Sequence, residues 1–134
     1  MLRRLAAFAA IALSLLSAVP AVAQVAGAQR RAILDALRPP IERRLQGPVE
    51  FVVRRIGVQN GWALVIADPQ RPGGGRIDGR RIFGEDYENM DGLTVNGILR
   101  FSNGRWRLVD HAIGPTDVWY CDPALGAPRS LTGC

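Results

Sequence analysis

The chain has 134 residues, and the 111 that follow the first 23 are enough for one domain with one core and too few for two. All 17 basic residues are arginines, set against 12 acidic residues for a net charge of +5, and the two signs are interspersed as on an ordinary solvated surface. A pI near 10.5 reflects how late Arg titrates, and this modest excess without an interleaved aromatic and basic strand motif argues against nucleic acid as a partner.

Met1 to Ala23 has the three parts of a secretory signal: Arg3 and Arg4, an apolar run from Leu5 to Val19, and Ala21-Val22-Ala23 as a small-x-small cleavage site. The expectation is a mature chain of residues 24–134, periplasmic or secreted, with no stable membrane insertion after cleavage. Retention of residues 1–23 as an anchor is the alternative, because the uncharged run to Val22 lies at the lower edge of spanning length. Cleavage leaves 15 Arg against 12 acidic residues, a net charge of +3.

From Ala28 to Leu45 the apolar residues Ile33, Leu34, Leu37, Ile41 and Leu45 fall within an arc of about 120°, one face of a helix. Pro39-Pro40 predicts a break in it near Arg38, since Pro lacks an N–H and disfavours helix at the residue before it. Gly47-Pro48 ends this region. Val49 to Val58 then reads as a strand with Phe51 and Val53 on one face and Val52, Ile56 and Val58 on the other. Trp62 to Ala67 pairs with it across Asn60-Gly61, a dipeptide suited to a tight type I′ turn.

Residues 68–92 form a long Gly/Pro-rich interruption carrying both signs of charge, in which Arg80 to Tyr87 is the candidate for a short strand or a turn of helix. A second hairpin follows, Leu93 to Phe101 and Arg105 to Ile113 around Asn103-Gly104. Strict alternation in its last strand places Trp106, Leu108, Asp110 and Ala112 on one face and Arg105, Arg107, Val109, His111 and Ile113 on the other. Residues 114–134 read as an irregular tail, anchored at the sheet's edge by Val118, Trp119 and Tyr120. Its two cysteines, Cys121 and Cys134, are the only ones, and export predicts a disulfide between them, worth about 3 kcal/mol by chain entropy. The resulting class is α+β: a helix packed on a curved four-stranded antiparallel sheet of two hairpins.

Catalytic equipment is sparse. His111 is the only histidine and the one side chain suited by type to acid/base work near neutrality. Asp110 points to the opposite face, so a base would need Asp91 or Asp117 to orient it. Asp86-x-Glu88-x-x-Asp91-Gly92 is out of register with a calcium loop, and one His with two paired cysteines gives zinc no ligand set, so neither metal nor cofactor is expected. Gly73-Gly74-Gly75 with Arg71, Arg76, Arg80 and Arg81 offers a candidate anion-binding loop.

Gly61-Trp62-Ala63 and Gly104-Arg105-Trp106-Arg107-Leu108-Val109, opening two strands after an N-terminal helix, resemble the cystatin-like and NTF2-like α+β architecture. Gly47-Pro48-Val49-Glu50-Phe51, Pro72-Gly73-Gly74-Gly75 and Gly114-Pro115-Thr116-Asp117-Val118 are similar to segments of small exported bacterial proteins, a likeness that implies export and brings no activity. Cystatin-type inhibitors use Gln-x-Val-x-Gly in the first hairpin, and Val58-Gln59-Asn60-Gly61 departs from it. NTF2-like enzymes set Asp and His in a pocket under a longer helical layer than this chain has. The expected function is therefore a non-catalytic envelope or secreted binding module that contacts a protein or small anionic ligand through residues 68–92 and the tail. The alternative is a small NTF2-like ligand binder or pocket enzyme using His111 with nearby carboxylates.

Overall fold

Asn60 and Asn103 both take φ of 51°, followed by Gly61 at 75° and Gly104 at 77°. Two successive left-handed residues are what a type I′ turn demands, and Asn-Gly meets that demand with little strain. These turns close two hairpins in a computed structural model that describes Val25 and residues 27–134. The signal segment expected at residues 1–23 lies outside the described residues. Strand β1 (Glu50–Gln59) pairs with β2 (Trp62–Gln70), and β3 (Val95–Ser102) pairs with β4 (Arg105–Ile113). Antiparallel pairing of β2 with β3 completes the expected four-stranded sheet in the order β1-β2-β3-β4. Both Asn-Gly turns consequently lie at one end of the sheet, where the Phe101 N–H donates to the Gly61 carbonyl at 2.7 Å.

Helix α1 (Ala28–Arg44) lies across one face of this sheet and runs unbroken through Pro39 and Pro40, contrary to the break predicted there. The prolines remove the bonds to the carbonyls of Asp35 and Ala36, at a cost of about 3 kcal/mol each in an isolated helix. Asp35 is exposed and Ala36 half-buried, so the freed acceptors lie away from the core, while Ile33, Leu37, Ile41 and Leu45 are fully buried against the sheet. Burial of that stripe outweighs the local preference. No helix among the described residues is long and apolar enough to cross a membrane.

Two β-bulges reassign the faces. In β1 the register steps over Arg54, so that Val53 faces Ala67 and Arg55 faces Ile66. In β4 it steps over Val109, so that Leu108 faces Leu99 and Asp110 faces Ile98. An extra residue shifts every later side chain to the other face. Phe51, Val53, Ile56 and Val58 thus all pack toward α1, and so do Trp106, Leu108 and Ile113, whereas strict alternation divides each group. His111, paired with Gly97, faces α1 as well, and Asp110 and Ala112 share the opposite face with Ile98 and Asn96. Both bulges fall on edge strands, where they also disrupt a ladder open to another chain.

The opposite face carries a second, smaller core of Trp62, Leu64, Ile98 and Leu131, against which Ile66, Trp119, Tyr120 and Ala127 pack. The tail therefore covers the sheet's face instead of docking at its edge. A 3₁₀ turn (Trp119–Cys121), a second at Pro123–Leu125 and helix α3 (Arg129–Thr132) bring Leu131 over Gly57, where an added Cβ would stand 3.0 Å from Leu131 Cδ1. Arg55 Nη2 donates to the Leu131 carbonyl at 2.5 Å, Ser130 Oγ to Gln59 Oε1 at 2.5 Å, and the expected Cys121–Cys134 disulfide closes the segment.

Residues 68–92 are largely structured, not a free loop. β2 continues to Gln70, residues 71–75 form a tight turn, and Asp78 caps α2 (Gly79–Phe83) by accepting from the Arg81 N–H at 3.1 Å. A 3₁₀ helix (Gly84–Asn89) follows, so the turn of helix anticipated in Arg80 to Tyr87 is present. Ile77, Ile82, Phe83 and Leu93 pack against the main core and tie the segment down.

Candidate functional site

At the end of the sheet away from the turns, the last turn of α1, the 3₁₀ helix and β4 enclose an open cleft of about 270 Å³. Arg44, Asp86 and His111 supply its polar lining and Phe83, Met90 and Ile113 its apolar walls. The Arg44 guanidinium lies 5.1 Å from the centre of the Phe83 ring, a cation–π contact that holds it at the rim. Asp86 is the carboxylate that lines this cleft together with His111, and the anticipated Asp91 and Asp117 are not part of its lining. Asp91 is tied through its N–H to the Gly114 carbonyl at 2.9 Å, and Asp117 is exposed on the tail. Asp110 accepts from the His111 backbone N–H at 2.8 Å and lies on the other face, so it does not orient the imidazole.

Of the four arginines expected around the glycine string, Arg76 and Arg80 line one open depression with Ile77 and Tyr87. Arg71 donates to the Leu45 carbonyl at 2.6 Å and to the Pro48 carbonyl at 3.1 Å, a structural tie to the end of α1. Arg80 pairs with Glu88 at 2.9 Å. Arg76 and Arg81 remain exposed. Among the described residues no group of three or more His, Cys, Asp and Glu side chains is placed to hold a metal ion.

A different arginine group gathers at the turn end. On the face away from α1, Arg100 stands directly opposite Arg107, and Arg105 follows opposite Ser102. All three are exposed, and the Arg100 guanidinium lies 4.9 Å from the centre of the Trp62 ring. Like charges in directly opposed cross-strand positions repel. The three ion pairs among the described residues, Arg38–Asp35, Arg54–Asp68 and Arg80–Glu88, leave this trio untouched. The first turn of α1, at the same end, carries Arg30 with no acidic residue and no side-chain cap, and Arg31 directly follows. Six of the acidic residues, Asp68, Asp78, Glu85, Asp86, Glu88 and Asp91, lie instead between the last part of β2 and the start of β3, at the opposite end.

On the α1 side of the same hairpin tip, the face opposite to Arg100 and Arg107, a largely apolar groove is also lined by Gln29, Asp35 and Arg105. Phe101 is 48% exposed, stacked edge-on against Trp106 with ring centres 5.4 Å apart. Ala28, Ala32 and Ala36 of α1 face these two rings across an open groove of about 640 Å³. The signal for this group is present in the sequence as Arg100-Phe101 and Arg105-x-Arg107 flanking an Asn-Gly turn, since a spacing of two in a strand puts side chains on one face.

No protein-family model matches this chain, and no curated protein or solved structure matches it.

Proposed function

We propose that the protein is an exported, non-catalytic binding module of the cell envelope whose contact surface is the turn end of the sheet. The observation that carries this reading is the direct opposition of Arg100 and Arg107 on one face of a hairpin tip whose other face exposes Phe101. Charge and apolar area held together against their own local preference are characteristic of a surface that meets a complementary one. Residues 68–92 and the tail, which sequence alone put forward as recognition segments, serve here as structural cover for the two faces of the sheet. The cystatin-like and NTF2-like resemblance enters this proposal as architecture only.

Site-specific photocrosslinking in the expressing cell tests the reading. A crosslinker at Asn103 should give adducts and one at Glu85 should not; equal labelling from both ends would refute it. Export is tested separately by mass spectrometry of the N-terminus, expected at Gln24.

A second reading, a small-anion site in the cleft, is favoured by the one arrangement that gathers the only histidine with Arg44 and Asp86. Its test is the His111 ring resonances during titration with small carboxylates and phosphate. Absence of any perturbation would remove it.

A further inference from the structure

Taking the turn end as the contact surface, as proposed above, we infer that what it meets is the surface of an anionic phospholipid bilayer. Three arrangements at this end are each unfavourable in water, and one kind of environment offsets them all. Arg30 in the uncapped first turn of α1, and Arg31 next to it, sit against the positive end of the helix dipole. Arg100 and Arg107 face each other with no carboxylate between them. Phe101, next to Arg100, leaves 48% of its surface in water beside the groove formed with Ala28, Ala32 and Trp106. Anionic headgroups offset the first two, and the acyl boundary accepts the third. An acidic protein surface is the competing partner, since it too would receive both the charges and the ring, and the vesicle assay below tells the two apart. The approach is also directional, because the six carboxylates of residues 68–91 lie at the far end, whereas Asp35, which lines the groove, is paired with Arg38. Gly27, from which the chain runs back to the apolar stretch Leu5–Val19, lies at this same end.

Cosedimentation of the 24–134 chain, which contains every described core residue, with lipid vesicles tests the inference. Vesicles containing phosphatidylglycerol should bind the protein, pure phosphatidylcholine vesicles should not, and high salt should release it. Replacing Arg105 and Arg107 by Gln should weaken binding about five-fold per charge removed. Phe101→Ser should weaken it without changing the salt dependence. The variant R43Q/R54Q removes the same charge away from this surface and should bind as the parent does. Thermal melts of all variants establish that they are folded. Loss of affinity in R43Q/R54Q equal to that in R105Q/R107Q would mean attraction by net charge alone and would overturn the inference. Failure of the parent to bind phosphatidylglycerol vesicles overturns it too. The binding-module reading would still stand in that case if crosslinks from Asn103 reach a protein, and would fall if they reach nothing.

Discussion

Arg71, in the turn after β2, donates from Nη2 to the carbonyl of Leu45 at 2.6 Å and so caps the C-terminal end of α1 from a residue 26 positions later in the chain. The second bond, from Nη1 to the Pro48 carbonyl, spans the connection into β1. One planar guanidinium thereby fixes helix, connection and hairpin relative to one another, which a Lys with a single ammonium would do less well. Replacing Arg71 with Met should cost about 2 kcal/mol in urea unfolding, and Arg71→Lys a fraction of that. Gly47 is part of the same contact, because a Cβ there would stand 2.9 Å from Arg71 Nη1. Gly47→Ala should displace the guanidinium and lower stability in the same direction.

Gly79 is buried beneath Tyr87, and a Cβ at this position would lie 2.3 Å from Tyr87 Cε2. Gly79→Ala should overpack the site and cost about 1–3 kcal/mol. In a Tyr87→Ala background the same substitution should be nearly neutral, so a double-mutant cycle isolates the contact. Limited proteolysis reports the same packing: residues 68–92 should resist cleavage in the parent protein and become susceptible in Gly79→Ala. Early cleavage of the parent within this segment would contradict the packing described.

The tail's place over the second core changes what reduction of Cys121–Cys134 should do. The two cysteines are 13 residues apart, and opening such a loop should cost about 3 kcal/mol by chain entropy. Because Leu131 packs with Trp62, Leu64 and Ile98, a loosened tail should also wet Trp62 and shift tryptophan emission to the red. Leu131→Ala with the disulfide intact should reproduce part of the shift and cost about 2–3 kcal/mol. An unchanged emission spectrum on reduction would mean that the tail stays docked without its bridge.

Val109 is 42% exposed and lies where the β3–β4 register steps by one residue. Removing it would place Leu108 and Asp110 next to each other opposite Leu99 and Ile98, restoring strict alternation with His111 and Ile113 still on the α1 face. The deletion should therefore leave the fold intact and cost no more than about 1–2 kcal/mol, and a loss of the folded state would mean that the bulge itself is required. Val109→Thr keeps the chain length and should stay within about 0.5 kcal/mol of the parent. Both are read by chemical denaturation.

Local chemistry was legible from the sequence wherever one short stretch sufficed to decide the outcome. Asn60-Gly61 and Asn103-Gly104 set two turns because their residues accept positive φ, and the stripe from Ile33 to Leu45 set a helix face because its period matches the turn of a helix. The pairing of Cys121 with Cys134 followed from their count and the compartment expected of the chain. Tertiary structure decided what depends on summed contacts between distant segments. Pro39 and Pro40 stay helical because burial of the α1 stripe exceeds their local cost. Arg54 and Val109 bulge because the partner strands' apolar residues hold β1 and β4 in a register that their own alternation does not describe. For the candidate sites the division was similar. His111 was visible as a residue type, but its neighbours Arg44 and Asp86 come from separate elements that only the packing of α1 and the 3₁₀ helix brings to β4. Arg100 and Arg107 were visible as two charges, and it took the strand register to put them face to face.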